Sequence, residues 1–427
     1  MFIEPRTLKG FADFGRKESV IRDRIFSKIK TVFTRYGFLP LETPTLEYKD
    51  ILMNKYGEDE KLVYSFTDHG GREVALRYDL TVPMARYVAQ NINTITLPYK
   101  RSQIQPVWRA DNTQRGRSRE FYQCDVDIVG SDTELGEIET LSCTLTALSE
   151  IGLPGSVVRI SDRRLFEGFA SRLSKGSEQI ISLMRLVDKV YKKTNDELAA
   201  DAVESYGFTS EDTELLRRVL TFIREGKTVD ELSDLVTITP EVLSNVKKIL
   251  QGMEAAGFGE RVIFDLGITR GLEYYSATVW EFFTEPKGTL AIGSGGRYDG
   301  LIASFSDKEI PAVGSSLGIT RIIEIAIEQG EFESLVKCIV LNIDPSLEAE
   351  YLRLAAILRS SGLNVDVYLK PEKLEKQFKY AEKLEIPFAL IVGEVEKQKN
   401  TVQVKNLNNR TQTEVPFSEI AEFLKHA

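Results

Sequence analysis

The sequence predicts an α+β protein, interrupted by a helical stretch and closed by a smaller α/β domain. Three observations carry this. Over 1–165 and again over 256–330, short β-branched runs alternate with amphipathic helical periods. Between them, over 166–255, strand signals vanish and leucine-rich helical periodicity takes over, as in "EQIISLMRLVDKVYKK" and "DTELLRRVLTFIREG". From 335 to 427 strands alternate with helices in a β-α-β-α-β order, which implies a largely parallel sheet. A length of 427 residues fits two to four domains at roughly 100–200 residues each.

The elements follow in order. "KESVIRDRIFSKIKTVFTRYG" places apolar residues at 21, 25, 29, 32 and 33 and stops on glycine, an amphipathic helix. "FLPLETPTLE" reads as a short, proline-punctuated strand. "VALRYDLTVPMARYVAQN" is strand, turn and helix, with Asp79 or Thr81 as the cap and Pro83 in the first turn. Residues 104–109 and 121–129 are strands around a basic loop, 134–151 is a helix stopped at "GLPG", and "VVRIS" is a strand. After the helical stretch, strands resume at 262 and continue through "TLAIG", and a helix starts near 317. In the last domain "KCIVLNI", "NVDVYL" and "FALIVG" are strands, "SLEAEYLRLAAILRSSG" and "EKLEKQFKYAEKLE" are helices, and a hairpin with a final helix closes the chain.

Composition excludes several classes. The net charge of −9 argues against a sequence-independent nucleic-acid coat, so any nucleic acid would be met by local patches and shape. Three widely spaced cysteines, Cys124, Cys143 and Cys338, make neither a disulfide framework nor a zinc cluster, and fit a reducing, cytoplasmic setting. The start "MFIEPRTLKG" has no apolar signal core, and no apolar run approaches the roughly 20 residues that span a bilayer, so no membrane is expected. With His69 and His426 alone, a histidine-based catalytic triad or multi-histidine metal site has almost nothing to draw on. Chemistry is left to arginine, carboxylate and tyrosine.

Five stretches concentrate such residues. In "VWRADNTQRGRSREFYQCDVDIVG", strand parity puts Arg119, Phe121, Gln123, Asp125 and Asp127 on one face and Tyr122, Cys124, Val126 and Ile128 on the other. The first face grades from cation through ring and amide to carboxylate, which suits a ligand with an anionic and a cationic end. Arginine forks bind phosphate and carboxylates bind ammonium. The plainer reading is an exposed hairpin with cross-strand ion pairs. "TRGLEYYSATVWEFF" offers Arg270 at the mouth of a strand, against the alternative of a surface salt bridge. Parity puts Tyr274 and Tyr275 on opposite faces, so that one of them lines a given pocket. "AIGSGGRYDGL" clusters glycines as for close backbone approach, without the spacing of a dinucleotide fingerprint. In "PAVGSSLGITRI" glycines precede an apolar helix carrying Arg321. Lys370, Lys373, Lys376, Lys379 and Lys383 form a basic helical stripe opposite a buried face of Leu374, Phe378 and Ala381, either a solvated face or a nucleic-acid contact.

Together these segments resemble the histidyl-tRNA synthetases, a family of class II aminoacyl-tRNA synthetases, over essentially the whole chain. "ETPTLE" resembles class II motif 1, the 107–130 stretch motif 2 and "PAVGSSLGITRI" motif 3, while "RGLEYYSATVWE" and "GSGGRYDGL" are similar to the two histidine-specific motifs. The resemblance implies an α+β catalytic domain on an antiparallel sheet (1–165 and 256–330), a helical insertion domain (166–255) and an α/β anticodon-binding domain (335–427). It implies ATP-dependent ligation of histidine to tRNA(His) through histidyl-adenylate, with ATP as substrate, Mg²⁺ on the outer phosphates, no assigned protein side chains as metal ligands, and a cytoplasmic homodimer. Carried over by position, Asp79 and Thr81 would hold the α-amino group of histidine. Gln123, Asp127, Tyr275 and Tyr298 would contact the rest of it, with Tyr274 bordering the site. Arg109 and Arg270 would serve as catalytic groups on opposite sides of the α-phosphate. Arg117 would reach the outer phosphates, and Phe121 and Arg321 would sandwich the adenine. Ser118, Ser294 and Thr320 depart from the family's usual tyrosine, glycine and glutamate. The alternative is a synthetase-like regulatory subunit of ATP phosphoribosyltransferase, which binds histidine without aminoacylating. Such subunits lack the anticodon domain and degrade the ATP-site arginines, whereas here Arg109, Arg117, Arg270 and Arg321 are all present.

Overall fold

The computed structural model describes residues 3–113, 118–235, 238–269, 274–330 and 332–427. It divides into two compact units, Met1–Gln329 and Gly330–Ala427.

An eight-stranded sheet organises the first unit. Its strands lie in the order Leu39–Pro40, Tyr99–Trp108, Glu120–Val129, Ala312–Gly318, Gly293–Arg297, Thr278–Phe283, Val157–Asp162, Val262–Phe264. The outermost pairings at each end are parallel and the five between them antiparallel. Helix Arg16–Arg35 covers one face. It buries Ile21, Ile25, Ile29, Val32 and Phe33, the stripe its periodicity predicts, and ends before Gly37, whose φ of +78° only glycine adopts freely. Tyr122, from the sheet face predicted to be apolar, stacks its ring 5.2 Å from Phe26 and under Arg22. A separate three-stranded antiparallel sheet, Leu46–Tyr48, Glu73–Leu76 and Ser65–Thr67, precedes helix Thr81–Asn91. Asp79 caps that helix by accepting from Val82 N at 3.0 Å.

The helical stretch has its own apolar core, including Phe166, Phe169, Leu186, Leu216 and Leu220. Two of its helices start on threonine capping boxes, Thr194 with Glu197 and Thr209 with Asp212.

Two glycine-rich segments differ from expectation. "TLAIG" is not a strand; pairing starts at Gly293 and runs to Arg297. "AVGSSLG", expected to lead into a helix, is itself the strand Ala312–Gly318, with the helix following at Ile319–Glu328. Glycine's poor strand propensity hid both. They form because close approach inside the sheet leaves no room for a side chain: a Cβ on Gly296 would sit 2.5 Å from the Thr278 carbonyl and 2.7 Å from the Tyr275 ring.

In the second unit, Val365–Val367, Cys338–Val340 and Phe388–Ile391 are parallel. The Thr401–Asn406 and Gln412–Pro416 hairpin adds two antiparallel strands, so the sheet is mixed. The lysine-bearing helix is Leu374–Lys383, shorter than expected, and Lys370 and Lys373 precede it. Leu374 is exposed while Gln377 is fully buried, bonded to Asn342 N and Asn342 O. Lys376 and Lys379 pair with Glu372 and Glu375 on the exposed side.

Candidate active site

The site grows from sheet register. Arg101 lies across from Asp127, Gln103 from Asp125 and Gln105 from Gln123. On the other side of the same strand, Gly314 pairs with Asp127, Ser316 with Asp125 and Gly318 with Gln123. One face thus carries a polar stripe three strands wide. It is no exposed hairpin face. Arg101 is 0% exposed and Asp125 and Asp127 are 2% exposed.

Arg101 holds the stripe together. Its Nη2 lies 2.8 Å from Asp127 Oδ2 and 3.8 Å from Asp125 Oδ2, and Nη1 donates to Gln103 Oε1 at 3.0 Å. Tyr298 OH donates to Asp127 Oδ1. Two carboxylates against one guanidinium leave an excess negative charge in a dry place. Burial accordingly pushes Asp125 up to about 7, and Asp127 in the same direction, against the pull of Arg101. Gln123 donates to Ser316 Oγ at 2.9 Å.

The tyrosines stand differently from the parity prediction. The strand begins only at Thr278, so alternation does not govern 274 and 275. Their rings lie side by side, 5.1 Å apart, and 5.7 and 6.4 Å from Tyr298. Both therefore face the same pocket. Ser276 fixes this arrangement, its backbone N–H donating to the Arg297 carbonyl at 2.8 Å and its hydroxyl to Asp299 at 3.1 Å. Tyr274 OH reaches Asp79 Oδ2 at 3.2 Å, and Tyr56 OH reaches Asp79 Oδ1 at 3.1 Å. Burial raises Asp79, while Val82 N–H and the two phenols hold it down. Thr81 opens the helix two positions further on.

A cleft of about 260 Å³ runs from Gln123 and Ser316 outward, lined also by Arg109, Phe121, Glu281 and Arg321. Arg109 donates from Nε to the Tyr78 carbonyl at 3.0 Å, and its guanidinium lies 4.2 Å from the Tyr78 ring centre and 5.2 Å from that of Phe121. Arg321 donates to the Ala291 carbonyl. Ser118, Ser294 and Thr320 all line this cleft, so the three departures from the family pattern gather in one place. Arg117 and Arg270 lie outside the described residues.

Sequence reasoning missed Arg101, Tyr56 and Tyr78. The signal for Arg101 was alternation, since Arg101, Gln103 and Gln105 share one strand face. Tyr56 and Tyr78 carried none, because their pairing at 4.5 Å is a tertiary contact.

Glycine sets the depth of the pocket. A Cβ on Gly314 would overlap Asp127 Oδ1 and lie 2.6 Å from its Cγ. Gly314→Ala is expected to push the carboxylate off Arg101 and Tyr298 and to raise the half-saturating concentration of whatever the pocket binds at least tenfold. Isothermal titration with the ligand measures this, and unchanged affinity would refute the crowding argument.

Residues 10–322 match the family model described as histidyl-tRNA synthetase, and residues 337–427 match one described as an anticodon binding domain. The chain is 36% identical to a histidine–tRNA ligase of Rhodopirellula baltica, covering 97% of this chain and 96% of that protein. It is 34% identical to one of Treponema denticola, covering 99% and 98%. The crystal structure of histidyl-tRNA synthetase from Nostoc sp. PCC 7120 superposes with a TM-score of 0.85 at 28% identity, over 100% of both chains. A Bacillus halodurans protein described as an ATP phosphoribosyltransferase regulatory subunit/histidyl-tRNA synthetase gives 0.74 at 22% identity, over 92% of this chain and 99% of that one, and so shares the fold.

Proposed function

Because this chain belongs to the histidyl-tRNA synthetase family, we propose that it ligates histidine to tRNA(His) in two ATP-dependent steps. In the first, the histidine carboxylate attacks the α-phosphate of ATP, giving histidyl-adenylate and releasing pyrophosphate. In the second, a terminal ribose hydroxyl of the tRNA takes the histidyl group and AMP leaves. Neither step uses a protein nucleophile. Positioning and stabilisation of the charge on phosphorus carry the rate.

One juxtaposition supports this reading best. A buried acidic pocket walled by three tyrosines adjoins an arginine-bearing cleft, and Gln123 and Ser316 border both. In it, Asp79 and Thr81 receive the α-ammonium, and Gln123, Asp127, Tyr274, Tyr275 and Tyr298 surround the side chain. Arg109 takes the α-phosphate, with Arg270 on its other side and Arg117 on the outer phosphates. Phe121 and Arg321 hold adenine between a ring and a planar cation. Mg²⁺ fits a site where substrate phosphates supply most ligands and one or two carboxylates the rest. Asp111 and Glu281 line the cleft and would be the carboxylates to hold it, and the ion would neutralise outer-phosphate charge. Among the described residues no group of three or more metal-ligating side chains exists.

We take the helical stretch 166–255 as an insertion domain, supported by its separate core, and 335–427 as the anticodon-binding domain of a cytoplasmic homodimer. Among the described residues no helix is long and apolar enough to cross a membrane.

The test is ATP–pyrophosphate exchange by the purified chain against each of the twenty amino acids. Exchange with histidine alone is expected. Exchange with a different amino acid would refute the specificity, and histidine binding with no exchange would favour the regulatory subunit.

A further inference from the structure

The polar floor holds more acceptors than the protein fills. Asp125 Oδ1, Asp127 Oδ2 and Gln123 Oε1 are all sealed from water and have no hydrogen-bond donor among the described residues. Asp127 Oδ2 touches Arg101 as an ion pair at 2.8 Å without hydrogen-bond geometry. A buried acceptor left without a donor is costly, and two such atoms, with a third met only by an ion pair, at alternate residues of one strand face are a pattern rather than an accident of packing. Arg101 Nε is a buried donor without a hydrogen-bond partner among the described residues, so three open acceptors stand against one open donor, and the missing partner is on balance a donor. The charge count points the same way, with two carboxylates against one guanidinium.

Given the synthetase reading above, on which this inference rests, we propose that Asp125 is a specificity-determining residue that accepts a second ring N–H of histidine. The imidazole is then taken up with both nitrogens protonated, one N–H to Asp127 and the other to Asp125. A neutral imidazole offers one donor and one acceptor, and its acceptor nitrogen would face a carboxylate oxygen. The imidazolium offers two donors and one positive charge, which balances the floor.

The groups facing Asp125 are few. Arg101 and Gln103 come from the Tyr99–Trp108 strand, Asp127 from its own strand and Ser316 from the Ala312–Gly318 strand. Asp79 and Tyr275 act on it from beyond the sheet. Arg101 is the one cation in this set. The sign of the pH effect follows. The ring holds its extra proton more tightly in the complex than in water, where imidazole has a pKa near ~6.5. Uptake is therefore strongest near neutrality, where the ring can take its second proton while the Asp125 carboxyl, raised to about 7, can give its own up, and it weakens at lower pH, where both are already protonated. It also weakens as free ring and free site lose their protons above neutrality.

The experiment is ATP–pyrophosphate exchange between pH 6 and 8.5, with the wild-type chain and Asp125→Asn. Asparagine keeps the volume, removes the charge and turns one acceptor into a donor. For the wild type, KM for histidine is expected to rise about tenfold from pH 7 to pH 8.5 while KM for ATP stays flat. Asp125→Asn is expected to raise KM for histidine at pH 7 at least tenfold, to flatten its pH profile and to leave KM for ATP unchanged. Histidine methylated on either ring nitrogen should be rejected by the wild type, because each lacks one of the two donors. Wild-type KM for histidine independent of pH, efficient activation of either methylhistidine, or an Asp125→Asn enzyme with wild-type KM and profile would each overturn the proposal. The first two readouts need no variant, so they decide even if Asp125→Asn folds poorly. A wild-type chain without any histidine-dependent exchange would instead overturn the functional reading itself, and this inference with it.

Discussion

Arg109→Ala is expected to lower histidine-dependent pyrophosphate exchange about 10²–10³-fold, the usual cost of removing one preorganised charge-stabilising donor, with the far-ultraviolet circular dichroism unchanged. The side chain is held at three points: the Nε bond to the Tyr78 carbonyl and the rings of Tyr78 and Phe121. These contacts fix the plane of the guanidinium before substrate arrives, so its electrostatic work costs no reorganisation. Removing it leaves the sheet intact, since Trp108 still pairs with Glu120. Arg109→Lys should recover little, because an ammonium cannot present a planar fork or stack between two rings. Exchange by Arg109→Ala within about threefold of wild type would remove Arg109 from the chemistry.

The second large effect falls on stability. Arg101→Met is expected to cost about 3–5 kcal/mol, the range for breaking a buried ion pair on one side, because Asp125 and Asp127 would then share a dry site without a cation. For the first unit, Met1–Gln329, that corresponds to a fall in melting temperature of roughly 4–7 °C, read by scanning calorimetry as the transition of that unit. The pH dependence identifies the cause. Both carboxyls already sit above their ordinary range, so their ionised forms are the destabilising ones, and stability falls as pH rises through their raised values. Without Arg101 that fall steepens. The deficit of Arg101→Met should be smaller at pH 6 than at pH 8, and a deficit equal at both would mean lost packing rather than unbalanced charge.

What was legible in the sequence follows from the kind of information each feature needs. Helix Arg16–Arg35 needed only a period, and its five buried residues were readable one by one. The polar face of Glu120–Val129 needed only parity, which placed Gln123, Asp125 and Asp127 together. Parity failed at Tyr274 and Tyr275 because both precede the strand, which begins at Thr278, and lie in a segment whose direction is set by Ser276 and Asp299. The glycine strands were hidden for the opposite reason. Local propensity argues against them, and their cause is a tertiary approach of Gly314 to Asp127 that no local rule contains. Gln377 shows the limit on a helix, where periodicity named Leu374 as buried and hydrogen bonding to Asn342 buried an amide instead. The functional family was readable because its motifs record chemistry position by position, while Arg101, which balances that chemistry, lies outside them.

The bond between Tyr274 and Asp79 joins residues 195 positions apart, and the one between Tyr298 and Asp127 spans 171. Between them the chain must complete most of the first unit, including the whole helical stretch. Contacts of such separation form late, since the entropy of closing a long loop is met before they reward it. The pocket is therefore a property of the finished fold, with no smaller fragment able to preform it. Histidine added during refolding should leave the folding rate unchanged and slow unfolding instead, because it grips a structure that exists only after the barrier has been crossed.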